Sequence, residues 1–346
     1  MKRTALRWVA AVCVPLLALT ACTRGGGAGT TTTDPGGTAA GAADCAPAKL
    51  VLGHAGSDTD PRQNAAESLA EKLSAATDGN LTAEVHGNST LGTWEEMVEG
   101  LQLGTTDIVI ESLLSLESYS NLASIETAPF LYDSPEQFAA VWDGALGDEI
   151  KGAITEATGY AILGNMYRGP RELTTKTPVT QLSDLQGQTI RTPSAQTMVE
   201  TWQALGARAE ALPWSEVYSA LEQGVIDGQE NPLDVAVFND IYEVAPELTQ
   251  TSHMYANYHF LMWNDSLNGL CSEYQEVVRT AAAEVGADYT ATTAANQETY
   301  RTELESKGMT FHELTDREAW VEATQPVIET LPEQVQAWVE HVRGMS

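Results

Sequence analysis

From Lys49 onward, short apolar runs alternate with longer runs whose apolar residues recur on one helical face. Lys49 to His54 reads as a strand. Asp60 is then placed to cap a helix with Pro61 at its first position, Ala65, Leu69 and Leu73 recur every four residues, and Gly79 follows its end. Leu81 to His86 alternates as a strand does, Thr93 and Glu96 form a capping box for the next helix, and Ile108-Val109-Ile110 reads as a strand buried on both faces. This order predicts an α/β fold with a largely parallel sheet. Late in the chain, Ser272 to Ser306 contains no Pro and a single Gly, Gly286, and Ser272 with Gln275 reads as another capping box. At ~1.5 Å per residue one such helix is roughly 50 Å long, enough to brace two domains. Two helices broken at Gly286 are the alternative, because Gly costs about 1 kcal/mol in a helix interior.

A weak internal repeat organises the rest. Trp94, Glu96, Leu101, Gly104 and Asp107 recur 120 positions later as Trp214, Glu216, Leu221, Gly224 and Asp227. Each set runs from a helix through a Gly turn into a strand, so each half of the chain is expected to carry an equivalent βαβ unit. The same offset sets Glu111 opposite Asn231. Glu111 is therefore expected to end its strand facing a cleft, where a ligand with a cationic or hydrogen-bond-donating group would partner it; capping of the next helix is the alternative.

The first residues address location. Lys2, Arg3 and Arg7 precede the apolar run Trp8 to Leu19, too short to span a bilayer, so residues 1–21 read as a secretory signal. The run ends in Leu19-Thr20-Ala21-Cys22, which resembles the bacterial lipobox and predicts that Cys22 carries lipid and anchors the protein to the outer face of the cell membrane. Residues 22–44, rich in Gly, Thr and Ala, read as a tether with a reach of roughly 25 Å. Of four cysteines, Cys45 and Cys271 then remain, as one disulfide or as two buried thiols. With 48 acidic against 18 basic residues the formal charge is -30, which excludes nucleic acid as a partner.

Familiar enzyme constellations are missing: there is no G-x-S-x-G elbow, H-E-x-x-H, C-x-x-C or phosphate-binding glycine loop, and neither a metal nor a cofactor is called for. The six histidines lie singly. His54 stands out because it ends the first strand, where ligands of open α/β sheets sit. Arg191 closes the strand Gly187 to Arg191, and Thr192-Pro193 aims its guanidinium past the strand's carboxyl end, where a carboxylate could accept two parallel bonds. Arg171 follows the strand Ala161 to Met166, and Asn231 ends the strand after Asp227. From spacing alone, each arginine reads first as a surface ion-pair partner in an acidic protein.

The strings Asp184-Leu185-Gln186-Gly187-Gln188-Thr189-Ile190-Arg191-Thr192-Pro193 and Pro213-Trp214-Ser215-Glu216, continuing through Gly224-Val225-Ile226-Asp227-Gly228-Gln229-Glu230-Asn231-Pro232, resemble the DctP-type solute-binding subunits of TRAP transporters. Leu91-Gly92, Ala128-Pro129-Phe130-Leu131 and the Arg171 segment extend the likeness from about Lys49 to the C-terminus. The resemblance implies a two-domain, periplasmic-binding-protein-like α/β fold with crossing strands and a long bracing helix. Domain I would comprise 45–168 and 257–296, domain II 169–256 and 297–346, with the ligand in the cleft between them. It further implies that Arg191 binds a ligand carboxylate, that Arg171 supports or joins it, and that Asn231 is a polar pocket residue. Trp214 stands where the family commonly has Phe, so a larger ring reshapes the pocket. The function implied is non-catalytic capture of a small carboxylate-bearing solute for the membrane subunits of a TRAP transporter. A ligand-sensing lipoprotein serving a signalling receptor, and more weakly a cleft enzyme using His54 and Glu111, are the alternatives.

Overall fold

The computed structural model describes residues 45–345; the expected signal segment, Cys22 and the tether lie outside the described residues. Strand β1 (Ala48–Gly53) leads to α1 (Pro61–Ala76), which starts where Asp60 accepts the Arg62 amide and Pro61 fills the first turn. β2 (Leu81–His86) precedes α2 (Trp94–Leu103), whose capping box between Thr93 and Glu96 is present as expected, and then β3 (Ile108–Glu111), buried along its length. After α3 (Pro135–Trp142) and α4 (Ala145–Thr158), β4 (Tyr160–Thr175) continues well past the Ala161 to Met166 stretch that the pattern suggested. The second half contributes β5 (Thr189–Thr192), α5 (Gln196–Ala204), β6 (Arg208–Ala211), α6 (Val217–Gln223), β7 (Gly228–Asn231) and α7 (Leu233–Phe238). β8 (Glu247–Trp263) returns alongside β4, followed by α8 (Asn264–Gly269), α9 (Ser272–Ser306), β9 (Thr310–Glu313), α10 (Arg317–Thr330) and α11 (Glu333–Arg343).

The strands form one sheet in the order β2-β1-β3-β8-β4-β7-β5-β6, with β9 against β8. Two parallel triads thus flank the long antiparallel pair β8 and β4, giving two α/β lobes joined by crossing strands. The register decides where a ligand can sit. Val109 pairs with Leu261 and Glu111 with His259, while Gly228 pairs with Thr175 and Asn231 with Glu172. Both β3 and β7 therefore run toward the middle of the β4–β8 ribbon. The carboxyl ends of the two triads face each other there, which is the crevice position of open α/β sheets.

The repeat is structural. Asp107 accepts the Val51 amide at 2.7 Å and Asp227 the Thr189 amide at 2.8 Å, each tying the start of its strand to the neighbouring parallel strand. Gly104 and Gly224 both take the left-handed conformation that ends the helix before it.

α9 is one helix of 35 residues, not two. At Gly286 a Cβ would come within 2.6 Å of the Asn165 carbonyl oxygen, so the glycine permits α9 to lie directly on β4, and that contact offsets its low helix propensity. The expected capping box at Ser272 and Gln275 is absent. Cys271 is the cap residue, and the Gln275 side chain instead donates to the carbonyls of Asn268 and Leu270. Cys45 and Cys271 form a disulfide with their Cα atoms 5.9 Å apart, tying the start of β1 to the start of α9.

Each lobe has apolar clusters on both faces of its half-sheet. The division expected from the sequence differs at two places. α11 packs Val335, Trp338 and Val339 with Leu131, Trp142 and Ile150 of the first lobe, so the chain ends there and not in the second. Phe130, from the first half, inserts among Leu173, Ile190 and Trp202 of the second.

Candidate functional site

The carboxyl ends of both triads open on a cavity whose charged and amide lining is Arg62, Glu111, Arg168, Arg171, Arg191, Asn231 and Asn239. Arg191 sits near the end of β5, where Thr192-Pro193 closes the strand, and its side chain turns back so that Nε and Nη2 donate to the Leu212 carbonyl at 2.9 and 2.7 Å. Trp214, opening the turn before α6, also lines the cavity and presents its ring 5.5 Å from the Arg191 guanidinium carbon. Arg191 is only 3% exposed, and among the described residues no carboxylate forms an ion pair with it. Burial therefore lowers its pKa to about 10, with Glu230 opposing and Arg171 adding to the shift.

Arg171 is occupied. From β4 it makes a two-point pair with Glu230 of β7, Nε to Oε2 at 2.5 Å and Nη2 to Oε1 at 2.8 Å, and it also donates to the Glu230 carbonyl. His253 donates to the same carboxylate at 3.1 Å. Burial pushes the Glu230 carboxyl up, but the Arg171 charge and these bonds outweigh it and hold the group at about 2. Asn231, next in β7, donates its amide to Gln229 at 2.7 Å.

Glu111 ends β3 and lines the cavity across from Asn231, where the repeat put it; its Oε1 accepts the Ser112 amide at 3.0 Å. Burial raises its pKa against the pull of Arg62. His54 is placed elsewhere. It is fully buried, donates Nε2 to Gln63 at 2.9 Å and is absent from the cavity lining, so the pairing of His54 with Glu111 that a cleft enzyme would need is not assembled.

Two arginines escaped the sequence reading. Arg62, the second residue of α1, makes a two-point pair with Asp60 at 3.0 and 2.8 Å. Arg168, midway along β4, lies 3.8 Å from Asp234 and has a buried Nε without a hydrogen-bond partner. Both pack against the Tyr258 ring, at 4.8 and 4.0 Å. A signal for them existed: the chain has only twelve arginines, four of which line this cavity, and Arg62 and Arg168 both lie beside segments already singled out. Three of the four have a carboxylate partner, Asp60, Asp234 or Glu230. The fourth, Arg191, offers its remaining N–H groups to an incoming carboxylate, while Glu111 and Asn231 can bind hydroxyls.

The pattern described as bacterial extracellular solute-binding protein, family 7 (DctP) matches residues 52–334. A solute-binding protein of Roseobacter denitrificans is 33% identical over 291 residues, which is 84% of this chain and 89% of that one. The crystal structure of a TRAP periplasmic solute-binding protein from that organism with bound L-galactonate matches with a TM-score of 0.81 at 32% identity, over 87% of this chain and 100% of the other. The C4-dicarboxylate-binding periplasmic protein DctP of Rhodobacter capsulatus is 31% identical over 292 residues, covering 81% of this chain and 85% of its own. A TRAP solute-binding protein of Xanthobacter autotrophicus with bound β-D-galacturonate gives a TM-score of 0.82 at 25% identity, over 86% and 100% of the two chains. These relatives are receptors that hold a solute.

Proposed function

We propose, from the premise that this chain belongs to the DctP family of bacterial extracellular solute-binding proteins, that it is the TRAP-transporter receptor for a sugar-acid monocarboxylate. The observation that carries the reading is Arg191: a buried, unpaired guanidinium at the crevice. A ligand carboxylate there forms a two-point pair, which strengthens as the lobes close and exclude water. Arg171, fixed by Glu230, lines the same cavity, and Trp214 shapes the pocket wall beside Arg191.

The charge balance favours one carboxylate over two. Arg62, Arg168 and Arg171 already face Asp60, Asp234 and Glu230, and Glu111 adds a further acidic group at the cavity. A second ligand carboxylate would meet the Glu111 carboxylate, and each of those three arginines already has an acidic neighbour. Hydroxyls donating to Glu111 and accepting from Asn231 suit the same positions. The ligands bound in the two solved relatives above, L-galactonate and β-D-galacturonate, have this chemistry.

In this reading the lobes close about β4 and β8, with α11 moving with the first lobe, and the closed receptor docks on the membrane subunits of the transporter. Cys22 carries lipid and tethers the receptor, a reading supported by the short apolar run and by Leu19-Thr20-Ala21-Cys22. Intact mass of the native protein should show a diacylglyceryl adduct on Cys22. The ligand is tested by calorimetry with L-galactonate, D-galacturonate, D-glucuronate and succinate: the sugar acids should bind and succinate should not. Tighter binding of succinate than of every sugar acid would sink the monocarboxylate reading.

A further inference from the structure

Outside the cavity, a second set of contacts joins the lobes. Helix α5, in the second lobe, begins behind Ala195, which has no side chain to cap it, whereas α1 and α2 start at their own Asp60 and Thr93. Its cap comes from the first lobe. Glu117, on the segment following β3, accepts the Thr197 backbone amide at 2.9 Å and the Thr197 hydroxyl at 2.6 Å from a position 80 residues upstream. Beside it Leu114, which also lines the cavity, packs on Ala195, Met198 and Met254, and Ser194 donates to Glu95 of α2 at 3.0 Å.

A carboxylate here satisfies an amide that the helix cannot satisfy itself and sits at the positive end of the helix dipole. Glu117 is buried, and its other carboxylate oxygen has no hydrogen-bond partner. When the lobes separate, Glu117 and the start of α5 each pass to water while every element within its own lobe stays intact. If the lobes separate as the receptor function requires, the contact is lost and belongs to the closed arrangement alone. Its free energy acts on the closed population and leaves the folding of each lobe alone.

We propose that Glu117 is the closure latch of this receptor: by capping α5 across the cleft it sets the closed fraction, and with it ligand residence time, without touching the ligand. Leu114 connects this latch to the cavity, because one side chain lines the binding space and packs against the latch helix. The proposal rests on the solute-receptor function and not on which acid is bound.

Trapping measures it without any ligand. In full-length protein carrying Glu95→Cys and Ser194→Cys, disulfide formation between the lobes reports closure and is quantified by peptide mapping, which separates it from the native Cys45–Cys271 link. Adding Glu117→Ala removes both bonds from Thr197 and should slow trapping by at least about tenfold, the effect of losing one charge-assisted hydrogen bond. Glu117→Gln, which keeps an acceptor, should slow it less. Thr197→Val removes only the hydroxyl bond and should slow trapping less, and combining it with Glu117→Ala should slow trapping no further than Glu117→Ala alone. Unfolding midpoints should stay equal across the set. Unchanged trapping in both Glu117→Ala and Thr197→Val, or effects that add in the combination, would overturn the latch. L-galactonate is added in a separate arm: if it fails to accelerate trapping while the Glu117 effect persists, the sugar-acid reading falls and the latch stands.

Discussion

Replacing Arg191 by alanine should separate binding from folding. In the protein without ligand this guanidinium is buried with the Leu212 carbonyl as its hydrogen-bond acceptor, and burial lowers its pKa from 12.5 to about 10. At about 1.4 kcal/mol per unit, holding the charge there costs on the order of 3 kcal/mol, which alanine relieves while giving up the two bonds to Leu212 and packing against Trp214. Stability of the ligand-free protein should therefore change little. Binding should move the other way. Two charged hydrogen bonds to a carboxylate, each worth roughly 1.5 to 3 kcal/mol, are lost together, so affinity should fall about a hundredfold or more. Arg191→Lys should fall nearly as far, because an ammonium keeps the charge but cannot reach both Leu212 and a carboxylate with a planar fork. Calorimetry with L-galactonate gives the affinities, and urea unfolding of the same samples gives the stabilities. Near-normal affinity in Arg191→Ala would refute the site; an affinity loss matched by an equal loss of ligand-free stability would refute the claim that the residue is held for the ligand.

Glu230→Gln should destabilise the protein by about 3 to 5 kcal/mol in urea unfolding, because Arg171 loses its partner in a buried pair, and it should raise succinate binding relative to L-galactonate by leaving a second free guanidinium; no change in either would contradict the charge balance drawn above. Glu172, buried and bonded to the Ser252 amide and hydroxyl, has its pKa raised by burial from 4.5 to about 7. The folded state thus holds a proton there that the unfolded state releases, and its favourable contribution, about 3 kcal/mol, is full below pH 4.5 and is lost as pH rises to 7. Relative to Glu172→Gln, wild-type stability should fall across that window, and parallel pH profiles would disprove it. Replacing Cys45 and Cys271 together by Ser should lower stability by up to about 5 kcal/mol, since the link spans a sequence separation of 226; labelling of Cys45 and Cys271 by a thiol reagent in the unfolded, unreduced wild-type protein, located by peptide mapping, would show that the pair is not linked.

Local rules carried far along this chain. The caps at Asp60 and Thr93, the turns at Gly104 and Gly224, and the offset relating Asp107 to Asp227 and Glu111 to Asn231 were legible because each signal is complete within a few residues, and the repeat multiplies it. Where a local signal met a tertiary constraint, the constraint won: Gly286 did not break α9, because β4 needs the space of a missing Cβ, and Cys271 rather than Ser272 caps that helix. The charge state of the site lay beyond sequence. Spacing could nominate Arg171 and Arg191 as equals, yet one is neutralised by Glu230, 59 residues away, and the other is left free. Arg62 and Arg168 reach the same cavity only because α1 begins at the carboxyl end of β1 and β4 crosses between the triads. Which charges meet is decided by strand register and crossing, and these are set by burying the faces of the whole sheet at once, a condition that no short window of sequence contains.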